Sequence, residues 1–188
     1  KLFTAFFESA LAEVPSIEIK MHSLGASEDT SEVLSGKYHA CILPRETRPD
    51  RKLDVRPLFR ERFVLGCSAK HPLAASDIVR GEDLLEFPFV DRLKCEFREQ
   101  ILDHFARREV LMRPRFRSDR DDWVQRVVAE GEAICILPER SATAQGLVTR
   151  PIDGFVLERE VVIATVSGST APVEIRKIAQ LAARYAWN

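Results

Sequence analysis

Apolar positions recur along this chain in two rhythms, and their succession predicts an α/β protein. The helical rhythm predicts an opening helix over 2–13, a short helix ending near Gly36, and helices over about 96–109, from Trp123 to Gly131 and after Pro172. Short apolar or alternating runs predict strands at 17–21, 40–43, 62–67, 87–90, 114–117, 134–137 and 160–165. The charged, proline-containing stretch 45–56 is typical of a surface loop.

Two segments end in the same way. Residues 33–44 (VLSGKYHACILP) and 128–138 (VAEGEAICILP) both read as a helix end, a glycine, a strand and then Cys-Ile-Leu-Pro. The repeated pattern favours two similarly built βα lobes, although any α/β chain can end its helices at glycine and its strands at proline. Strands that feed helices in this order favour mostly parallel sheets, in which ligands bind beyond the carboxyl ends of the strands.

Composition narrows the class of protein. The chain has 188 residues, 45% of them hydrophobic and 30% charged, and a formal net charge of -1. A net charge near zero argues against duplex DNA binding by this segment alone, because such binding needs a basic surface. A local basic patch stays possible. The longest apolar run, 161–166, is far short of the roughly 20 residues that span a bilayer. No signal peptide is apparent at the start.

The cysteines and histidines show no catalytic or metal-binding spacing. Cys41, Cys67, Cys95 and Cys135 contain no CxxC pair, which favours free thiols in a reducing, cytoplasmic compartment, with Cys41, Cys67 and Cys135 in the core. The four histidines are scattered, and GxSxG, Walker, GxGxxG and HExxH motifs are all missing. We therefore expect no enzyme, catalytic residue, cofactor or metal. Trp123, at helical spacing with Val127, is expected in the core; alternatively, an aromatic side chain near a cleft could stack on a ligand.

Four motifs in order carry a family resemblance. They are 15–19 (PSIEI) with Gly36 downstream, 71–74 (HPLA), 81–90 (GEDLLEFPFV) and 127–138 (VVAEGEAICILP). Together they resemble the effector-binding domain of LysR-type bacterial transcription regulators over nearly the whole chain. His39 departs from the family's usual Asp, and Glu132 and Ala133 depart from its usual "lG".

The resemblance implies a fold and an assembly. The fold would be that of type 2 periplasmic binding proteins: α/β, with two βα lobes, a central cleft and two crossover strands. Lobe one would be 1–66 with 163–188, and lobe two 67–162. The family's first strand and its winged helix-turn-helix would be absent from this chain. A small effector in the cleft would act on a homodimer or homotetramer that binds DNA through the absent part.

Three turns before helices are candidate effector contacts, because helix N-termini attract anions. The first turn contains Gly25, Ala26 and Ser27, the second contains Arg92, Lys94, Cys95, Glu96 and Arg98, and the third contains Asp119 and Arg120. Leu43 and Pro44, at the end of a predicted strand, could line the floor of the effector cleft. The arginines and lysine favour a carboxylate or another anion. Alternatively, these cations are solvated or paired with Asp119, Asp121 and Asp122.

Cys95 raises a second hypothesis, redox sensing. It lies between Lys94 and Arg98 at a predicted helix start. Neighbouring cations and a helix N-terminus both lower the pKa of a thiol. The stretch 95–100 (CEFREQ) resembles the "HC.RDQ" of peroxide-sensing LysR regulators, with Lys94 in place of His and one extra residue before Arg98. The alternatives are a plain buried or pocket-lining cysteine here, and, for the chain as a whole, a transporter's solute-binding protein or an enzyme on the same scaffold.

Overall fold

A computed structural model describes residues 2–23, 30–45, 50–168 and 171–187. The chain divides into two compact units, 1–61 with 159–188 and 62–158. Strand β2 (Leu53–Ser68) carries the chain out of the first unit, and strand β7 (Glu158–Val166) brings it back. These boundaries lie a few residues before the predicted ones, and the role of each unit as a regulatory lobe stays a prediction.

The first unit has an aromatic core. Its elements are α1 (Leu2–Glu13), the single turn α2 (Ser31–Leu34), β1 (Ala40–Pro44) and α5 (Val173–Arg184). The rings of Phe6 and Trp187 lie 5.1 Å apart between centroids and belong to a buried cluster with Ile178 and Ala182 of α5. The helical rhythm of 2–13 therefore marks the face of α1 that packs against α5, which stabilises this unit by removing apolar area from water.

The second unit holds the remaining elements. They are β3 (Phe89–Arg92), α3 (Arg98–Ala106), β4 (Pro114–Ser118), α4 (Asp121–Glu130), β5 (Cys135–Pro138) and β6 (Leu147–Arg150), with short 3-10 turns at Pro72–Ala75 and Gly81–Glu86. Strands β3 and β4 pair in parallel, so their carboxyl ends lie at one edge. Helices α3 and α4 each follow one of these strands, as the sequence predicts.

The expected predominance of parallel pairing is wrong. Strand β1 pairs antiparallel with β7, and β2 pairs antiparallel with both β5 and β6. The cause is the double crossing: β2 and β7 run between the units in opposite directions. Each crossover strand therefore pairs with neighbouring strands that run in the opposite direction. The order of strands and helices along the sequence does not reveal this pairing.

Other differences follow from local context. Residues 17–23 form no strand, and Met21 is exposed. The loop predicted over 45–56 ends earlier, because β2 already begins at Leu53. Trp123 is 53% exposed and Val127 is also exposed, so their core assignment is wrong. The buried face of α4 consists of Val124, Gln125 and Val128, one residue further along the helix.

Gly66 in β2 leaves no room for a side chain. A Cβ there would lie 2.6 Å from Leu137 Cδ2 and 3.1 Å from Cys135 Sγ, both in fully buried residues of β5. We expect Gly66→Ala to lower the free energy of unfolding by about 2 kcal/mol through overpacking. Urea unfolding checks this, with Gly81→Ala as the matched control, because the nearest atoms to a Cβ at Gly81 lie at 3.8 Å. Equal effects of the two substitutions would contradict the packing argument.

Candidate functional site

The carboxyl ends of β3 and β4 gather most of the predicted effector contacts within the second unit. Arg92 and Ser118 are register partners at these ends. The backbone N–H of Leu93 donates to Ser118 O at 2.9 Å, which ties together the two turns that follow the strands. Lys94 and Arg120 belong to these turns. Two of the three predicted turns therefore form one cluster.

Arg92 is a buried cation with an exposed partner. Its Nε and Nη2 donate to the two carboxylate oxygens of Asp121 at 2.8 and 2.7 Å. The Arg92 side chain is 8% exposed and that of Asp121 is 48% exposed. Burial alone would lower the pKa of the Arg92 guanidinium, but the hydrogen bonds and charge of Asp121 hold it above its ordinary value. The third nitrogen, Nη1, is buried and has no hydrogen-bond partner among the described residues.

Asp91 anchors two further arginines. Its side chain is 2% exposed, and Arg98 Nε and Nη2 donate to it at 2.6 to 3.1 Å. Arg117 Nε lies 3.5 Å from the same carboxylate. The bonds to Asp91, and to a smaller degree its charge, raise the pKa of Arg98 above its usual value. Arg98 is thus already held by a carboxylate of its own unit.

The outer cations of the cluster make weaker pairs. Lys94 Nζ lies 3.8 Å from Asp119 Oδ2, with both side chains largely exposed. Arg120 donates to Asp122 at 2.8 and 3.1 Å and lies over the Trp123 ring at 5.2 Å from its centroid. That stacking explains how an exposed tryptophan is accommodated on α4. Exposed pairs of this kind contribute little stability, so these cations can exchange partners readily.

A small cavity adjoins Arg92. It measures about 10 Å³, room for roughly one water-sized group, and its lining includes Asp91, Arg92, Cys95, Arg98 and Ile136. Cys95 lies three residues before α3 and is 9% exposed. The expected position at a helix start is therefore shifted, while a buried, pocket-lining cysteine agrees with one of the alternatives considered for it.

Burial of Cys95 sets an expectation for oxidation. Because oxidation requires an accessible thiolate, we expect Cys95→Ser to leave any effector response intact and the wild type to react slowly with hydrogen peroxide. Mass spectrometry of the native and urea-unfolded protein measures this directly. Rapid peroxide modification of native Cys95, with loss of a peroxide response in the serine variant alone, would favour redox sensing instead.

The other cysteines are core residues, as predicted. Cys41, Cys67 and Cys135 are all buried. Burial raises the pKa of Cys67, and it raises that of Cys135 to about 12, so both thiols stay protonated at neutral pH. Among the residues that the structure describes, no group of three or more His, Cys, Asp or Glu side chains could hold a metal ion.

The remaining candidates lie elsewhere. Gly25, Ala26 and Ser27 fall outside the described residues. Leu43 and Pro44 belong to β1 of the first unit, where they pair with Val162 and Val161 of β7. Glu96 belongs to the second unit, and its side chain is exposed. Their role as effector contacts stays a prediction.

Sequence reasoning missed Asp91. Its signal was a charged pair, Asp91-Arg92, that directly follows Phe89 and Val90 in a strand whose four residues are all buried. A carboxylate in that position needs a cation from another element, and the arginine of α3 was available seven residues on. The sequence offers Asp121 only as one possible partner of the arginines, and in the structure it is the partner of Arg92.

The HPLA motif has a structural role. His71 is buried, its Nδ1 accepts from the Leu73 N–H at 3.1 Å, and its Nε2 lies 3.2 Å from Glu132 O. Since Nδ1 accepts, Nε2 carries the hydrogen and donates to Glu132 O. The imidazole therefore caps the 3-10 turn at Pro72–Ala75 and fastens it to the turn before β5. Burial lowers the pKa of His71.

Comparison with known proteins decides the family. Residues 2–187 match the family described as the LysR substrate binding domain. The chain belongs to this family. Its fold is accordingly the α/β, type 2 periplasmic-binding-protein-like fold that the sequence predicts. Membership places it among the effector-binding domains of transcription regulators and favours that reading over a transporter protein.

Individual relatives agree with the LysR assignment. A probable nitrogen assimilation transcriptional activator of Synechocystis sp. PCC 6803 is 25% identical over 144 residues, which cover 74% of this chain and 44% of the relative. The chain thus spans less than half the length of that curated relative.

No helix among the described residues is long and apolar enough to cross a membrane.

Solved LysR structures share the fold. The regulatory domain of Synechocystis CcmR in complex with 2-PG matches with a TM-score of 0.78 at 18% identity, over 96% of this chain and 89% of that one. HinK, a LysR family regulator from Pseudomonas aeruginosa, matches with a TM-score of 0.79 at 17% identity, over 96% of this chain and 64% of that one. At these identities the likeness extends to the fold alone.

Proposed function

We propose that this LysR domain senses a small anionic metabolite, binds it without transforming it, and relays binding to a DNA-binding part outside this chain. The observation that carries the proposal is Arg92 Nη1, a buried donor without a partner among the described residues. An unpaired buried donor costs free energy that an incoming oxygen would recover. The adjacent cavity is large enough for one such oxygen.

The surrounding charges support an anion rather than a neutral ligand. Lys94 and Arg120 lie in the two turns beside Arg92, and both make only exposed ion pairs. A carboxylate at the carboxyl ends of β3 and β4 would also meet the N-terminus of α4, where unpaired N–H groups favour negative charge. Asp119, Asp121 and Asp122 oppose this, so the ligand must displace or share their pairing with the cations.

The wider proposal follows from the family. The full protein would be a cytoplasmic homodimer or homotetramer, contacting DNA through an N-terminal domain, with the effector shifting populations among its arrangements. The predicted central cleft and the contributions of Gly25, Ala26, Ser27, Leu43 and Pro44 belong to this proposal. A plain effector sensor is favoured over a redox sensor by the burial of Cys95.

A ligand screen with matched variants tests the proposal. Succinate, citrate, benzoate and 2-PG are screened by thermal shift, because a ligand that binds only the folded state raises the melting temperature. For a hit, we expect Lys94→Ala to weaken binding about tenfold in calorimetry, since one charge-assisted contact is lost. Lys94 makes only a long, exposed pair, so this variant should fold normally.

The control removes a cation of the same unit from an exposed pair elsewhere. Arg80 pairs with Asp83 at 2.7 Å in the 3-10 turn Gly81–Glu86 and its cap. Arg80→Ala should leave the affinity unchanged. If neither Lys94→Ala nor Arg92→Met changed the affinity, the cluster at the carboxyl ends of β3 and β4 would not be the effector site.

A further inference from the structure

A second concavity lies at the opposite edge of the β3–β4 pair. Its volume is about 310 Å³, and its apolar lining consists of Leu84, Leu85, Phe87, Leu111 and Met112. Phe87 lies two residues before β3, and Met112 two residues before β4. This groove is therefore at the amino ends of the two parallel strands, whereas Arg92 is at their carboxyl ends.

The groove leaves apolar side chains in contact with water. Leu85 and Leu111 are both exposed, while Leu84 is buried. Met112 adds a flexible thioether that adapts to differently shaped apolar groups. A groove of this volume lies at the lower end of the range of small-molecule sites. Its surface suits a ligand with one compact apolar group.

Two opposite charges complete the lining. Glu109 and Arg113 both line the groove. Neither forms an ion pair with any residue in the described part of the chain, although other arginines and carboxylates of this unit pair extensively. A ligand with both an ammonium and a carboxylate group would satisfy both side chains. A simple fatty acid or an apolar amine would satisfy only one.

Glu109 is held in an unfavourable backbone conformation. Its φ is 61°, the only positive φ of a non-glycine residue among the described residues. It lies three residues beyond the end of α3, in the turn that follows the helix. There Glu109 N–H donates to Ala106 O at 3.0 Å and Val110 N–H donates to Phe105 O at 2.9 Å. Glycine is the residue that this position favours. A carboxylate kept there at the expense of stability indicates a use for its charge.

We propose that this groove binds a small zwitterion with an apolar side chain, of the apolar α-amino acid class. Its ammonium group would pair with Glu109, its carboxylate with Arg113, and its side chain would pack on Phe87 and Met112. The site is separate from the anion site at Arg92 and stands without it. It would give the domain a second ligand input.

The test is an NMR titration of the whole chain, labelled with ¹⁵N, with L-leucine, L-methionine and L-phenylalanine. We expect saturable shifts of the Phe87, Leu111 and Arg113 amides. Glu109→Gln and Arg113→Gln should each weaken binding about tenfold, because each removes one charged contact. N-acetyl-leucine, which lacks the ammonium group, and leucinamide, which lacks the carboxylate, should bind with similar losses. Glu99→Gln and Arg115→Gln, which change exposed charges outside the groove, serve as matched controls and should bind like the wild type.

One variant separates a ligand contact from a purely structural residue. Glu109→Gly should raise the melting temperature, because glycine relieves the left-handed strain, and should weaken leucine binding at the same time. Absence of saturable shifts with all three amino acids would overturn the proposal. So would unchanged binding in both the Glu109 and Arg113 variants. Shifts that are abolished by Lys94→Ala would assign the amino acid to the anion site and would equally overturn the second site.

Discussion

Replacing Asp121 with alanine is expected to lower the free energy of unfolding by about 3 kcal/mol, more than replacing its buried partner. The reason is the asymmetry of the pair, since Arg92 is 8% exposed and Asp121 is 48% exposed. Removing Asp121 leaves a guanidinium buried without its carboxylate. Arg92→Met instead leaves a carboxylate that water can solvate, and its apolar side chain fills the space, so its cost should be about 1 kcal/mol or less.

The control for Asp121 is its neighbour. Asp122 lies in the same first turn of α4 and pairs with Arg120 at 2.8 Å, but both side chains are exposed. Asp122→Ala loses a similar helix-dipole contribution and only an exposed ion pair, so we expect a much smaller change than in Asp121→Ala. Urea unfolding of the three variants measures the order. A larger loss in Arg92→Met than in Asp121→Ala would contradict the burial argument.

Replacing His71 with alanine is expected to cost about 2 kcal/mol, because two backbone groups lose the buried imidazole to which they are hydrogen-bonded. These groups are the Leu73 N–H and the Glu132 carbonyl. The substitution also removes the ring contact with Phe87, whose centroid lies 4.2 Å from that of the imidazole. His71→Asn should recover part of the loss, since asparagine can accept from the Leu73 N–H as a capping residue.

The same histidine should make stability depend on pH. Burial lowers its pKa in the folded state below the ordinary value of 6.5, so the unfolded chain binds the proton more tightly. The contribution of neutral His71 is therefore fully present above about pH 6.5 and is lost as the pH falls through the folded pKa. Unfolding free energies at pH 8.0 and 5.5 should differ less in His71→Asn than in the wild type.

His104 supplies the comparison. Its pKa is also lowered, first by burial and then by Arg108 and Arg107, so it contributes with the same sign. His104→Gln should remove only its own part of the pH dependence. If His104→Gln abolished the dependence while His71→Asn preserved it, the assignment to His71 would be wrong.

The sequence predicts best the elements whose ends are set by a neighbouring glycine or proline. Helix α4 ends at Glu130 before Gly131, and β5 ends at Pro138, as glycine and proline dictate. The HPLA motif is one of the four that carry the family resemblance, but its structural role depends on Glu132, sixty-one residues away. Local patterns do not specify such a partner. The same limit explains why the antiparallel crossover strands were not anticipated.

The candidate site shows a similar division. Sequence placed Arg92, Lys94 and Arg120 in turns before helices, and the register of β3 with β4 brings these turns together. It could not tell which arginines were already neutralised, because the carboxylates of Asp91 and Asp121 reach them through tertiary structure. Trp123 was misassigned for a related reason: a helical repeat fixes a spacing, while packing decides which face is buried.

The most direct test of the effector proposal is an NMR titration that locates the binding site of a carboxylate found in the thermal-shift screen. The account predicts saturable amide shifts concentrated at residues 92–95 and 118–121, which in Lys94→Ala should need about ten times more ligand to saturate. A carboxylate that binds the domain while leaving both turns unshifted, or a purified protein that converts it into another compound, would contradict the account.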